Sequence, residues 1–339
     1  MNNTVKPLFS DHYLTHRITE TSEWNEDVRV YFDKLQSLYQ QQRHILPNLN
    51  ESQTENEWIQ PILAELGFSY IVQTSLHKSG KVSRPDYSLF LNDTTKQEAY
   101  NLGRDETAFY SRVAVVADAK YYERPLSENL KNETRDTFKN SNPSFQIVNY
   151  LDGTRVDWGM LTNGRHWRLY YRLSASPIQQ FYEIDLVKLL LDNDLESFKY
   201  FWLFFRKQAF LKNSQNLNFL ERVREESTSY ARQIEGELKK LVFDHVFANL
   251  AGGFVFSLHE KINRGENSYS LLPNQENLIY KATLSFLYKI LFLLYAEAKS
   301  LFPVEQESYR EYSLSLLLKN IAKKCDKKQI FSETSTQYY

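Results

Sequence analysis

The chain has 339 residues, of which 42% are hydrophobic, 15% aromatic and 24% charged, with a formal net charge of −1. That length suits two domains and supplies a large core, and the near-balanced charge excludes a disordered acidic or basic tail protein. Ten Gly and nine Pro are too few for a collagen or a linker protein, and the lone cysteine, Cys325, excludes an internal disulfide and a multi-thiolate zinc site and fits a reducing compartment.

Met1–Asn2–Asn3–Thr4 leads to Lys6 and Pro7 without an apolar run, so no secretory leader is expected. Apolar residues at Val28, Tyr31, Phe32, Leu35, Leu38 and Tyr39 predict a helix from about Trp24 to Ile45. A second helix is expected over Thr54–Leu66, with Thr54 and Glu57 at capping-box spacing, Pro61 as a kink or tight first turn, and Gly67 as its stop. Short β-branched or aromatic runs then predict strands at Phe68–Thr74, Tyr87–Leu91, Arg112–Tyr121, Gly159–Leu161 and Arg168–Arg172. Asn163-Gly164 between the last two is a hairpin signal. The polar stretch Asn92–Tyr110 is expected to be an exposed loop, and Phe138–Leu151 a helix.

From Ile184 onward the strand signals vanish. Leu186–Leu191, Glu196–Leu211, Leu217–Phe247, Asn277–Leu301 and Ser308–Cys325 carry helical periodicity, with Gly252–Gly253 between helical segments. The expected division is 1–183, an α/β domain, and 184–339, an all-α connector. The greasiest run, Ala282–Ala298, is interrupted by Lys289 and closed by Glu297, short of the roughly 20 apolar residues a membrane span needs. A soluble, cytoplasmic protein with no membrane partner is therefore expected.

Chemistry concentrates at two strands. Asp86 follows Pro85 at the start of Tyr87–Leu91, and Asp118 closes the apolar run Val113–Ala117 ahead of Ala119 and Lys120. Alternation along a strand sends Asp118 and Lys120 to one face. If the two strands are neighbours, Asp86 and Asp118 converge at one sheet end. Two carboxylates about 4 Å apart repel by about 4 kcal/mol at an effective dielectric of 20, and a cation between them relieves this. Two carboxylates and the Ala119 carbonyl suit Mg²⁺, with Mn²⁺ as a substitute. Such an ion can generate hydroxide and stabilise charge on a phosphate, and Lys120 could orient the water or neutralise the phosphate. The letters alone are weak: chance supplies about one Pro-acid pair and about five acid-x-base triplets in this composition.

The order of pieces is more specific. Asn50-Glu51-Ser52-Gln53-Thr54-Glu55, Ile59-Gln60-Pro61-Ile62-Leu63-Ala64-Glu65-Leu66-Gly67-Phe68, Arg84-Pro85-Asp86-Tyr87, Ala117-Asp118-Ala119-Lys120, Gln146-Ile147-Val148-Asn149-Tyr150, Gly159-Met160-Leu161-Thr162-Asn163-Gly164 and Trp167-Arg168-Leu169-Tyr170 follow one another. Together they resemble the PD-(D/E)xK nucleases over roughly residues 8–175, and above all the N-terminal nuclease regions of type IIG restriction-modification enzymes and type I restriction subunits. Leu291–Glu297, running into Leu301-Phe302-Pro303-Val304, resembles the helical region that precedes the methyltransferase in type IIG enzymes.

The resemblance implies a restriction-endonuclease-like core, a mixed sheet flanked by helices, followed by a helical domain. It implies Asp86 and Asp118 as metal ligands, Lys120 as the catalytic lysine, and Gln146 and Tyr150, a Gln-x-x-x-Tyr pair on one helix face, near the site. It further implies an acid from the upstream helix, Glu51 by motif or Glu55 as the alternative. Asn-Pro-Pro-Tyr, an S-adenosylmethionine loop and a helicase P-loop are absent from the sequence. The expected activity is Mg²⁺-dependent hydrolysis of double-stranded DNA in restriction, with a methyltransferase or recognition region lying outside this chain and a dimer on DNA. The alternative is a catalytically silent nuclease-like DNA-binding or scaffold module that supports a DNA methyltransferase. Lys78, Lys81 and Arg84, and Lys131, Arg135 and Lys139, are candidate phosphate contacts.

Overall fold

The computed structural model describes residues 6–72, 76–78, 81–83, 85–102, 105–129, 142–265 and 274–326. The chain divides into two compact units, Met1–Arg232 and Gln233–Tyr339.

In the first unit, strand β1 (Lys6–Pro7) precedes helix α1 (Arg29–Gln42), which buries Phe32, Leu35 and Tyr39. The next helical stretch has three parts: α2 (Glu51–Thr54), a π turn (Glu55–Ile59) and α3 (Gln60–Glu65). Its capping box is Asn50 with Gln53, one turn before the expected Thr54–Glu57 pair; the Asn50 side chain accepts from Gln53 N, and Gln53 Oε1 accepts from Asn50 N. Gly67 ends it with φ +86°, as expected of a helix stop.

Strands β2 (Ser69–Val72), β3 (Leu76–Lys78), β4 (Lys81–Ser83) and β5 (Tyr87–Phe90) follow. Residues 93–101 and 106–110, expected as loop, form helices α4 (Asp93–Asn101) and α5 (Glu106–Tyr110). Asn92 and Asp105 cap them by accepting from Thr95 N and Ala108 N, and Ala99 and Tyr110 anchor them to the core. Then come β6 (Val115–Ala119), α6 (Pro143–Thr154), β7 (Trp158–Thr162), β8 (His166–Tyr171) and β9 (Gln180–Asp185). Strand β9 lies outside the strands expected from the sequence. Its Phe181 and Tyr182 are buried beside Gln180 and Glu183, a two-plus-two pattern rather than clean alternation.

Among the described residues the main sheet has the order β1-β9-β8-β7-β6-β5-β2. It is mixed: β5–β6 and β7–β8–β9 are antiparallel, whereas β6–β7 is parallel and joined through α6. The Asn163-Gly164 hairpin joins β7 to β8, with Gly164 at φ +78°. Alternation assigns the strands to two cores. Val115, Ala117 and Ala119 face the larger one with Trp58, Ile62 and Phe201, while Val116 and Leu161 face Ile147 and Leu151 of α6.

Helices α7 (Leu186–Leu191) and α8 (Leu195–Phe205) complete the larger core with Phe198, Phe201, Trp202, Phe204 and Phe205. Burying each such side chain contributes about 1.5–3 kcal/mol. The compact unit therefore runs past the expected boundary at 183, because these helices cover the sheet rather than start a separate layer. Helix α9 (Phe219–Leu241) follows them.

The second unit contains α10 (Ala248–Asn263), α11 (Gln275–Ala298), α12 (Glu307–Arg310) and α13 (Leu314–Asp326). Gly252 and Gly253 lie inside α10 instead of between helices. Among the described residues two helices, Phe219–Asn263 and Gln275–Ala298, are long and apolar enough to cross a membrane by length and composition. The second begins earlier than the run read from sequence, and it carries Lys281, Lys289 and Glu297. The observed architecture is thus a mixed sheet flanked by helices, followed by an all-α region.

Candidate active site

The register Tyr87↔Ala117 between β5 and β6, continued by one residue, sets Asp86 opposite Asp118. Pro85 has no N–H to extend the ladder, so β5 starts here. The Ala119 N–H instead donates to Asp86 Oδ2 at 2.8 Å, tying the first carboxylate to the strand that carries the second. Residues opposite each other in an antiparallel pair share a face, and both carboxylates reach the same ammonium. Lys120 Nζ lies 2.7 Å from Asp118 Oδ2 and 3.9 Å from Asp86 Oδ2, and it donates to the Ala119 carbonyl at 3.1 Å. Lys120 keeps pairing with β7 through its backbone N–H to Thr162 O, which holds the stem of the side chain in place.

The group is deeply buried, with Asp118 at 2% and Lys120 at 7% exposure. Burial pulls the Lys120 ammonium down, but the charges of Asp118, Asp86 and Glu51 outweigh it and leave it above the usual lysine range. Burial, followed by the like charge of Asp118, pushes the Asp86 carboxyl well up. Lys120 and the Ala119 N–H oppose that rise, and Glu55 adds to it. Four acids, Asp86, Asp118, Glu51 and Glu55, therefore act on a single ammonium among the described residues. The cluster is short of positive charge.

That imbalance bears on a metal. Asp86 Oδ2, Asp118 Oδ2 and the Ala119 carbonyl oxygen surround one cation-sized point, which Lys120 Nζ occupies. All three are hard oxygen donors of the kind Mg²⁺ takes. Among the described residues no three His, Cys, Asp or Glu side chains form a metal cage. The arrangement fits Mg²⁺, which is commonly held by one or two carboxylates with water and phosphate oxygens completing its shell.

Glu51 and Glu55 sit four residues apart on the capped helical stretch. Glu51 is half-buried in the first turn. Glu55 is 8% exposed and accepts from the Tyr87 hydroxyl at 2.5 Å. Burial raises the Glu55 carboxyl; the Tyr87 bond and Lys120 pull it down, and Asp118 pushes it up. Burial, followed by the Glu55 charge, raises the Tyr87 phenol too. Both upstream acids thus lie in the field of the Asp86–Asp118–Lys120 group, and Tyr87 belongs with them. Sequence reasoning missed Tyr87, whose only signal was its place directly after Asp86.

Helix α6 starts at Pro143, with Asn142 accepting from Ser144 N as its cap. Tyr150 is buried beside Ile147 and Leu151 in the α6-side core, and Gln146 Oε1 is buried without a hydrogen-bond partner among the described residues. Of the basic residues considered as phosphate contacts, Arg84, Lys131, Arg135 and Lys139 lie outside the described residues. Lys78 and Lys81 are described only as backbone in β3 and β4. No family model, curated protein or solved structure matches the chain.

Proposed function

We propose that the first unit is a PD-(D/E)xK nuclease domain that hydrolyses DNA phosphodiester bonds with Mg²⁺, as the nuclease part of a restriction-modification system in the cytoplasm. The observation that carries this reading is the convergence of Asp86, Asp118 and the Ala119 carbonyl on Lys120 Nζ at the paired ends of β5 and β6. Asp86, Asp118 and the Ala119 carbonyl would hold the ion. When bound, Mg²⁺ supplies an acidified water and positive charge against the scissile phosphate. With the ion bound, Lys120 Nζ would leave the point between these oxygens and, from beside it, orient the attacking water and face the phosphate oxygens. Gln146, one turn before Tyr150, offers a buried amide oxygen from the helix packed on β6. Water is the nucleophile, so no covalent intermediate forms on the protein. Cutting both strands needs two such sites, which supports a dimer on DNA.

Cleavage of supercoiled and linear DNA with Mg²⁺ or Mn²⁺, beside EDTA and Asp118→Ala controls, tests the proposal. Metal-dependent nicking that disappears in Asp118→Ala supports it. A folded chain that binds the metal and leaves DNA intact, alone and with a methyltransferase and recognition partner restored, refutes it.

A second reading has its own observation. Helix α11 is apolar on most sides, yet only Thr283, Leu287, Ala296 and Glu297 of it are buried, and Phe256 of α10 and Phe292 of α11 are 69% and 61% exposed. Surface of this kind supports a scaffold role for the second unit, holding a methyltransferase or recognition region. Co-elution of the chain with such a partner, lost in Phe292→Glu, tests it.

A further inference from the structure

Strand β6 ends at Ala119, and the chain turns away from the sheet directly after the lysine that faces Asp86 and Asp118. The hairpin between β7 and β8 bonds that turn along its length. The Thr162 carbonyl accepts from Lys120 N at 2.8 Å, and the Asn163 carbonyl accepts from Glu123 N at 3.1 Å. Asn163 Nδ2 donates to the Arg124 carbonyl at 2.7 Å, and Arg165 Nη1 pairs with Glu123 Oε1 at 2.7 Å. Within these contacts Glu123 holds φ +61°, a left-handed conformation that is unfavourable for a residue with a Cβ. Such a conformation persists where the surroundings over-determine it, and here the hairpin does so.

The hairpin is itself fixed from within. Asn163 is 2% exposed, and its Oδ1 accepts from Arg165 N at 3.1 Å and from His166 N at 2.7 Å. Thr162 Oγ1 accepts from Gly164 N and donates to the His166 carbonyl. On the other flank the Gly164 carbonyl accepts from Trp58 Nε1 at 2.7 Å. The two ends of the Asn163 side chain therefore act differently. Its oxygen closes the hairpin, and its amide reaches across to the turn after Lys120. A turn of this kind needs only the oxygen, which Asp supplies as well as Asn does. The amide serves no bond within the hairpin, and what it reaches is the segment that carries Lys120.

We infer that Asn163 is a positioning residue for Lys120: its amide clasps the turn that follows the lysine and so fixes where the ammonium stands beside the paired acids. The inference rests on the metal-dependent nuclease reading for what the ammonium does there, and on the hydrogen bonds for its placement. The carboxylates do not depend on the clasp, since Asp86 is held by Ala119 N and Asp118 lies inside the β6–β7 ladder. Loss of the clasp loosens the lysine and leaves the two acids where they are.

The test uses the whole chain. Asn163→Asp keeps the oxygen that closes the hairpin and puts an acceptor where the donor to the Arg124 carbonyl stood. Val223→Ala, at a buried position on α9, lowers stability without touching the clasp. In protein carrying isotope-labelled lysine, the Nζ resonance of Lys120, assigned by its loss in Lys120→Arg, reports whether the ammonium is held. Measured in EDTA, that resonance should be present in the wild type and in Val223→Ala and lost from Asn163→Asp. In Asn163→Asp, kcat for cleavage of supercoiled DNA should fall by about tenfold to a hundredfold, the usual effect of misplacing a reacting group, with KM unchanged. Its Mn²⁺ affinity, followed by the free-ion electron paramagnetic resonance signal, should stay that of the wild type. Should Asn163→Asp fail to fold, Arg165→Gln, which removes the partly exposed pair to Glu123, carries the same test with a smaller expected loss. A Lys120 resonance missing from the wild type, or retained in the folded variant, overturns the inference. So does its loss in Val223→Ala, or a fall in Mn²⁺ affinity as large as the fall in kcat, since either marks a merely structural role. If the wild type cleaves DNA and the variant matches it, the inference fails and the nuclease reading stands. Asn163-dependent holding of Lys120 in a wild type that neither binds Mn²⁺ nor cleaves supports the inference and counts against the nuclease reading.

Discussion

Replacing Lys120 with Met keeps the bulk of the side chain and removes the ammonium that balances Asp86 and Asp118. At 2.7 Å and 3.9 Å the two attractions are about 6 and about 4 kcal/mol at an effective dielectric of 20. These gross values are offset by the cost of burying the ammonium, and Lys120 is buried. The net loss expected when one partner of a buried ion pair is removed is about 3–5 kcal/mol. For a unit the size of Met1–Arg232 that corresponds to a fall in Tm of about 6–20 °C. Thermal or urea unfolding of wild type and Lys120→Met in EDTA measures it. Mg²⁺ should return part of the loss, because an ion at the same oxygens binds the folded chain only, and at a hundred times its Kd it contributes about 2.7 kcal/mol. A loss under about 1 kcal/mol in EDTA, or no response to Mg²⁺ in the variant, would refute the argument that the Nζ position balances the acids.

Gln146→Leu should leave stability within about 1 kcal/mol of wild type, since the buried Oε1 has no hydrogen-bond partner among the described residues to lose, while DNA cleavage falls; a urea titration beside a nicking assay separates the two. Gly164→Ala should destabilise by about 1–3 kcal/mol, because φ is +78° and the new Cβ would meet Trp58 Cδ1 at 2.8 Å. Trp58 lies on the helical stretch that carries Glu55, so cleavage should fall as well. Arg168→Met should cost about 3–5 kcal/mol by urea unfolding, because the guanidinium is bound by Glu183 and Ser144 and stacked on Phe181. Burial raises the Glu297 carboxyl, but donors Ser315, Leu314 and Ser313 outweigh it and bring it to about 2, below its ordinary 4.5. A depressed carboxyl contributes stability that is full above pH 4.5 and lost as pH falls toward 2. Helical signal from the second unit should therefore melt earlier at pH 3 than at pH 6, and Glu297→Gln should flatten that difference.

Much of the fold was legible where the cause is local. Asn163-Gly164 specifies its hairpin because a tight turn needs φ above zero at one residue, and Gly67 ends its helix for the same reason. Helix α1 follows from apolar residues at three- and four-residue spacing, with ends that differ from the expected ones by a few residues. The segments that misled are those where tertiary contact outweighs composition. Residues 93–110 read as a polar loop, yet Ala99 and Tyr110, two buried positions in a hydrophilic stretch, make them helices on the sheet. Strand β9 carries no clean alternation and is decided by pairing with β8. Gly252–Gly253 suggested a break that the neighbouring helical turns override.

For the candidate site the division is similar. The sequence by itself determined which residues could do chemistry: acids at the start of one strand and the end of another, a lysine two residues on, and two glutamates one helical turn apart. Alternation and helical periodicity are local rules, and they suffice for that much. Only the tertiary structure decided that Asp86 faces Asp118 across β5 and β6, since strand order and register are set by long-range pairing. It alone drew the Ala119 carbonyl and both aspartates onto Lys120, and it alone joined Tyr70, Gln60, Tyr87 and Glu55 by hydrogen bonds. Those groups come from three strands and a helical stretch, and no spacing along the chain records which faces will be buried together.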